Sequence, residues 1–396
     1  MKILFGSDIS FNSFEGSIAK EKAYSIMKNT AEVFKKADFS ILNLENIMGN
    51  EKDYTPIVKT GPNLISDESY MHFIDALKPT ALGLANNHLY DFGDAAYKNT
   101  VRLLTENGYL YAGAGDNIDE AYKPVIFDDG NKKVAIFCVC ENEYGIAELN
   151  KSGSAGYQLG RVTKAIKSAL KGNMIPVIFF HGGNEYNPYP SPRKIELYRH
   201  FVDLGAKAVV AMHTHCPQGY EIYDGAPIIY SMGNFYFPED GNLKCWEYGY
   251  MTMMNIADEI TVEIIPYTFD FDNHTLLEGE DKENFMKYIA YISKDYNNEQ
   301  LMRDYFDSWT RISGLFGYIN HCAFTKDMLN CDQNKIRELK NLFSCEAHNE
   351  LIEKSTKVIY DGRIEEVKKY EAKIRKLQNM EIPEEWVWEL GLQIKK

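Results

Sequence analysis

Short apolar runs recur along the chain, and each closes on a polar residue. "KILFGSD" ends at Asp8, "FSILNLEN" at Glu45 and Asn46, "ALGLANNH" at His88, "IPVIFFHGG" just past His181, and "AVVAMHTH" at His215. "KVAIFCVCEN" and "PIIYSMGNF" are built the same way. Runs of this length, rich in β-branched and aromatic residues and bounded by turn residues, predict buried strands. Between them, "EKAYSIMKNTAEVFKKA", "DAAYKNTVRLLTENG", "RVTKAIKSALKG" and "RKIELYRHFVDLGA" carry helical spacing. The alternation predicts an α/β fold, a layered β-sheet core flanked by helices. "WEYGYMTMMNIADEITVEIIPYTFDF" changes to alternating strands, a hairpin or meander that completes the sheets. Beyond it the chain is helical and charged, as in "KENFMKYIAYISKDY" and "IEEVKKYEAKIRKLQNM". We therefore expect one domain over residues 1–274 and a helical C-terminal region, 275–396, packed on it. Nothing in that region resembles a site, and its charges read as solvated faces.

Composition narrows the partners. The net charge of −14 disfavours a nucleic-acid backbone or an anionic membrane surface. No apolar run is long enough to cross a bilayer, and the opening "MKILFGSDIS" lacks the regions of a signal peptide, so the expected location is cytoplasmic, without membrane insertion. Seven cysteines in scattered positions make no disulfide framework. Cys138 and Cys140, at strand spacing, read as small buried hydrophobes.

In open α/β sheets, sites form at the carboxyl ends of strands. Asp8, Glu45, Asn87, His88, His181, His213 and His215 all fall there. Each alone has a plain alternative as a cap, a turn residue or a hydrogen-bonded loop residue, but together they can converge on one crevice. His213 and His215 stand two residues apart, and on an extended chain both imidazoles would point to one side. A mixed oxygen and nitrogen set suits Mn, Fe or Zn rather than Ca or Mg. A carboxylate between two such groups can bridge two ions, which clamp a nucleophile and the scissile oxygen.

"GSD", "NLEN", "ANNHLYDFG", "GAG", "HGGNEY" and "MHTHCPQGYEIYDGAPIIYSMGNF", in this order, resemble the CapA family of capsule synthesis proteins, the poly-γ-glutamate PgsA type, over Lys2 to about Phe237. The resemblance implies the calcineurin-like metallophosphatase fold, an αββα sandwich. It also implies one metal position among Asp8, Glu45 and His215, and another among Glu45, Asn87, His181 and His213, with Glu45 bridging. His88 corresponds to the histidine that protonates the leaving group, with Asp91 placed to orient it. Glu185, Tyr186 and Gln218 match positions expected to contact substrate or brace the site. The metallophosphatase superfamily's first motif is D-x-H, whereas here Ser10 follows, and its second uses an aspartate, whereas here Glu45 stands. Both departures are those of the CapA branch, and both weaken the first metal position.

The expected activity is metal-dependent hydrolysis of an amide or phosphoester bond, with one or two divalent ions, on an anionic polymer or a peptide-like small substrate. Lys59 and Arg193, with Lys194, are the nearest cations for such a substrate and are equally readable as solvated charge. The Tyr- and Pro-rich "HGGNEYNPYPSPRK" reads as the rim of the cleft. Two alternatives remain at this point: a non-catalytic accessory protein of polymer synthesis or export, and a metal-independent acid/base enzyme using His88, Glu185 and His213.

Overall fold

The computed structural model describes residues 1–14, 16–59, 61–239, 241–318, 332–383 and 386. Fourteen strands carry the argument: β1 (Lys2–Ile9), β2 (Phe39–Leu44), β3 (Ala81–Gly83), β4 (Leu110–Ala112), β5 (Val125–Asp128), β6 (Lys133–Cys140), β7 (Ile175–His181), β8 (Ala208–Met212), β9 (Tyr220–Tyr223), β10 (Ala226–Ile229), β11 (Asn234–Tyr236), β12 (Tyr248–Ile256), β13 (Ile260–Phe269) and β14 (His274–Leu276). They form two large sheets, in the orders β14-β13-β12-β1-β2-β3-β4 and β9-β10-β8-β7-β6-β5, with β11 also beside β1. β1 to β4 run parallel, as do β6, β7, β8 and β10. Each sheet thus gathers several carboxyl-terminal strand ends along one edge.

The period-2 pattern decides which way each strand faces. In β1, Ile3 and Phe5 enter the core shared with the second sheet, while Leu4 faces the opposite cluster. Phe5 meets Phe179 of β7 with ring centres 6.1 Å apart, and Phe39 stacks on Phe127 at 4.9 Å. Gly83 is needed for this approach, because a Cβ there would lie 2.9 Å from the Phe179 ring.

Five helices flank the sheets: α1 (Lys20–Phe34), α2 (Met71–Leu77), α3 (Gly93–Glu106), α4 (Leu159–Lys171) and α5 (Pro192–Asp203). The first three bury Met27, Phe73 and Leu104 with Leu4 on the outside of the first sheet, and the other two pack Ile166 and Phe201 on the second. The architecture is an αββα sandwich, two packed sheets with helices on their outer faces. Cys138 and Cys140 are buried in its core.

The C-terminal region follows as α6 (Gly279–Ser293), α7 (Glu299–Trp309), a π-helical stretch Thr310–Tyr318, α8 (Gln333–Ser344), α9 (Glu346–Tyr360) and α10 (Glu371–Gln378). It has no separate core at its start: Phe285, Tyr288 and Ile292 of α6 join the cluster around the second sheet. Among the described residues, no helix is long and apolar enough to cross a membrane.

Candidate metal centre and its pocket

The strand tips meet in a buried cup. Asp8 ends the regular part of β1, Glu45 follows β2, and His181 ends β7; all three side chains are almost wholly buried. His181 stands at the centre. Its Nδ1 lies 3.2 Å from Asp8 Oδ1, and its Nε2 lies 3.0 Å from Asn87 Oδ1, 3.0 Å from His213 Nδ1 and 3.3 Å from Glu45 Oε1. One ring nitrogen cannot serve three neighbours, so lone pairs outnumber protons here. Glu45 carries this furthest: both its oxygens are buried without a hydrogen-bond partner. The 3.3 Å approach of His181 is a charge contact rather than an aligned hydrogen bond.

Unpaired buried carboxylate oxygens cost several kcal/mol unless something positive meets them. Burial pushes the Glu45 carboxyl up, but the charges of His181, His215 and His88 overcome it and hold the group at about 2. Asp8 goes the other way, raised by burial and by the Glu45 charge. Burial works against a proton on His181, yet Glu45 and Asp8 lift it to about 10. His213 falls well below the usual imidazole value, through burial and the charges of His181 and His215. A site that splits like groups this far apart, and leaves acceptors unmet, has the donor set of a cation cup.

The ligand groupings are Asp8, Glu45 and His181 on one side and Glu45, His213 and His215 on the other, each with its atoms within 4.8 Å of one another. The sequence reading put His215 with Asp8 and His181 with His213. Proximity joins His181 to Asp8 at 3.2 Å as well as to Asn87 and His213 at 3.0 Å each, and groups His215 with His213, while Glu45 is common to both groups. The reason His213 and His215 converge also differs. β8 stops at Met212, and both histidines have left-handed backbones, φ 95° and 53°, rather than a strand's alternation. Their rings are 5.9 Å apart. Hydrogen bonds hold this strained turn: His213 N donates to Asp8 Oδ2 at 2.8 Å, Tyr186 N to the Thr214 carbonyl at 2.7 Å, and His215 Nδ1 lies 2.7 Å from Asn234 Oδ1.

His88 faces the cup from the loop after β3. Its Nε2 is 3.9 Å from Glu45 Oε1, and its Nδ1 is 2.7 Å from Asp91 Oδ2. Asp91 is itself fixed by Leu64 N at 2.7 Å and by Lys59 Nζ at 2.5 Å. Asn86 braces the loop, donating to the Leu44 carbonyl and accepting from His88 N. Lys59 is thus committed to orienting the His88–Asp91 pair, while still lining the pocket above it.

That pocket has a volume of about 490 Å³, with Asn87, His88 and Lys59 among its walls. Glu185 lines it and comes within 3.9 Å of His213 Nε2. Arg193, Lys194 and Gln218 do not line it. Arg193 and Lys194 are spent on Glu141, at 2.7 and 3.0 Å, and Gln218 donates to the Asn187 carbonyl. Tyr186 stacks on Trp246, at a ring distance of 5.8 Å, with its carbonyl accepting from Gln378. The 181–194 segment is not a free rim: Tyr189 is 2% exposed and stacks on Tyr305 of α7, so the C-terminal helices roof it.

Those same helices reach the mouth. Glu338, Asn341, Leu342 and His348 line the pocket with Glu143. The sequence reading found no site feature in this region, since one histidine and one glutamate on charged helices carry no local signal. Glu143 was also missed, although its position just after β6 obeys the strand-end rule; it lies 3.6 Å from His213 Nε2.

The family described as "Bacterial capsule synthesis protein PGA_cap" matches residues 2–239. The chain is 30% identical over 223 residues to "Capsule biosynthesis protein CapA" of Bacillus anthracis, covering 54% of each chain. It is 27% identical over 239 residues to "PGA biosynthesis protein CapA" of Bacillus subtilis (strain 168), covering 59% of this chain and 63% of that one. A "Probable polyglutamine synthesis accessory protein" of Mycobacterium tuberculosis is 24% identical over 226 residues, 54% of this chain and 58% of its own. The match therefore spans little more than half the length of these relatives. A solved structure from Thermus thermophilus covers 66% of this chain and 98% of its own at 13% identity and a TM-score of 0.35, too loose to support an argument. The family match covers the cup from Asp8 to Asn234, and by it the chain belongs to the bacterial capsule synthesis protein PGA_cap family.

Proposed function

We propose that the protein is a metal-dependent hydrolase that cuts an amide or phosphoester bond in capsule or poly-γ-glutamate metabolism. The observation that carries this is Glu45, whose two buried oxygens lack any hydrogen-bond partner at the meeting point of both ligand groups. Asp8, Glu45, Asn87, His181, His213 and His215 would hold one or two ions, and their nitrogen-rich chemistry suits Mn, Fe or Zn. An ion there would act as a Lewis acid on the carbonyl or phosphoryl oxygen and lower the pKa of water.

The chain's own groups supply the rest. His88 Nε2 faces Glu45 across the cup and is placed to give a proton to the leaving group. Asp91 accepts from the other ring nitrogen, which turns Nε2 toward the cup, and the doubly protonated ring is the form that donates from Nε2. Lys59 holds Asp91 in place. The 490 Å³ pocket suits a small molecule or the end of a polymer rather than a long strand.

Metal analysis of the purified protein, paired with a panel of phosphoesters and γ-glutamyl peptides, tests the proposal. Turnover should vanish on EDTA treatment and in His181→Ala, and return to the wild type with Mn, Fe or Zn. Full activity in metal-free protein would overturn it. The Mycobacterium relative's name favours a second reading, an accessory protein that binds without cutting. That reading predicts metal and ligand binding with no turnover of any panel member.

A further inference from the structure

We propose that Glu143, Cys345 and His348 form a separate site for a thiophilic divalent ion such as Zn²⁺, at the seam where the C-terminal helices meet the mouth of the pocket. The site shares no ligand with the cup and stands whether or not the cup holds an ion. Two of its three residues lie beyond the family match at 2–239, so it is a feature of this chain's C-terminal region.

Geometry comes first. One ligand atom from each residue lies within 4.8 Å of the others, and Cys345 Sγ is 3.8 Å from Glu143 Oε1. A tetrahedral zinc, with bonds of about 2.3 Å to sulfur and about 2.0–2.2 Å to nitrogen or oxygen, sets its ligand atoms roughly 3.3–3.6 Å apart. Side-chain rotation closes the difference. Cys345 sits at the junction of α8 and α9 in extended conformation, with its sulfur turned to Glu143. His348 follows three residues later in the first turn of α9, on the same helix face. Glu346, between them, accepts from Asn142 N at 3.0 Å and from Asn142 Nδ2 at 2.5 Å, which pins the start of α9 beside Glu143.

A second observation points to a ligand. Asn341, 5% exposed and lining the same pocket, has a buried Oδ1 with no hydrogen-bond partner. Its Nδ2 lies 3.3 Å from His348 Nδ1. A half-turn of that amide would let Oδ1 accept the Nδ1 proton of His348 and leave Nε2 as the ligand atom, the usual support for a metal-bound histidine. Charge agrees: the mouth carries Glu143, Glu185 and Glu338, while the Lys59 ammonium is already held by Asp91. Three protein ligands would leave one tetrahedral position open to the pocket.

Cobalt(II) titration of the full, reduced protein reads this site directly, because neither ligand group of the cup contains a thiolate. A thiolate-to-cobalt charge-transfer band should appear in the wild type, be displaced by Zn²⁺, and persist at full intensity in Asp8→Ala/His181→Ala. Cys345→Ser should abolish it, and His348→Ala should weaken cobalt binding at least tenfold. Bound zinc per chain should fall by one equivalent in Cys345→Ser with the cup's ions retained. Absence of the band in the wild type, or its survival in Cys345→Ser, would overturn the site. Should Cys345→Ser misfold, the wild-type spectrum and the His348→Ala titration decide. Failure of the cup would show instead as lost turnover with the band intact.

Discussion

Glu45 and Glu141 are both buried carboxylates just beyond parallel strands, and both carboxyls are held at about 2. Their surroundings are opposite. Glu141 Oε1 meets Arg193 at 2.7 Å and Lys194 at 3.0 Å, and its Oε2 accepts from Gly183 N at 2.9 Å. Burial alone would raise its carboxyl, and those two cations more than reverse that. Lys194 is nonetheless lowered, because it bears full burial while sharing one carboxylate with Arg193. Arg193 also reaches Glu350 of α9 at 3.0 Å, so this knot ties the helical region to the sandwich. Glu45 has only the charges of surrounding imidazoles and no donor for either oxygen. A buried charge answered from within the chain is architecture; one left unanswered beside lone pairs is a candidate cation site.

The sharpest way to separate the two is by what each loss removes. His88→Asn should lower turnover by ~10²–10⁴-fold while leaving metal content unchanged, since it takes away a proton donor and no ligand. Glu45→Gln should remove turnover and bound metal together. A His88 variant that lost its ion would merge the two roles and break the distinction.

Stability should divide the other way. Glu141→Ala strands Lys194 and part of Arg193, and urea unfolding should report a loss of about 3–5 kcal/mol. In chelated protein Glu45→Gln should cost far less, because no donor is stranded. Acid offers the same comparison without mutation. The Glu141 carboxyl is depressed in the folded state, so its contribution is complete above an unfolded value near 4.5 and is lost as pH falls toward about 2. The wild type should therefore lose stability across that window, and Glu141→Gln should flatten this part of the profile.

Smaller effects sharpen the contrast. Free metal at a hundred times its Kd should stabilise the wild type by about 2.7 kcal/mol, leave Glu45→Gln unmoved, and stabilise Glu141→Ala as much as the wild type. Lys59→Met should cost roughly 10–100-fold in kcat with little change in metal content, because it releases Asp91 rather than a ligand.

Much of this was legible along the chain. Short apolar runs bounded by turn residues gave the strands, the 3.6-residue spacing gave α1, α3, α4 and α5, and the polar residue after each run named the residues now found around Glu45. Glu143 obeys the same rule, but its run ends among cysteines whose spacing signals burial rather than a site. Arg193 and Lys194 read as cations near a substrate. Whether a charge is spent or available depends on partners such as Glu141 and Glu350, which stand 52 and 157 residues from Arg193.

By itself the sequence determined the α/β layering, the polar residue types at the strand ends and the kinship, because periodicity and motif order are local properties of the chain. Tertiary structure alone decided that His181 stands between Asp8, Asn87 and His213, that His213 and His215 converge through a left-handed turn, and that Cys345 and His348 arrive beside Glu143. Those outcomes depend on how distant elements pack, and no short stretch of residues carries that information.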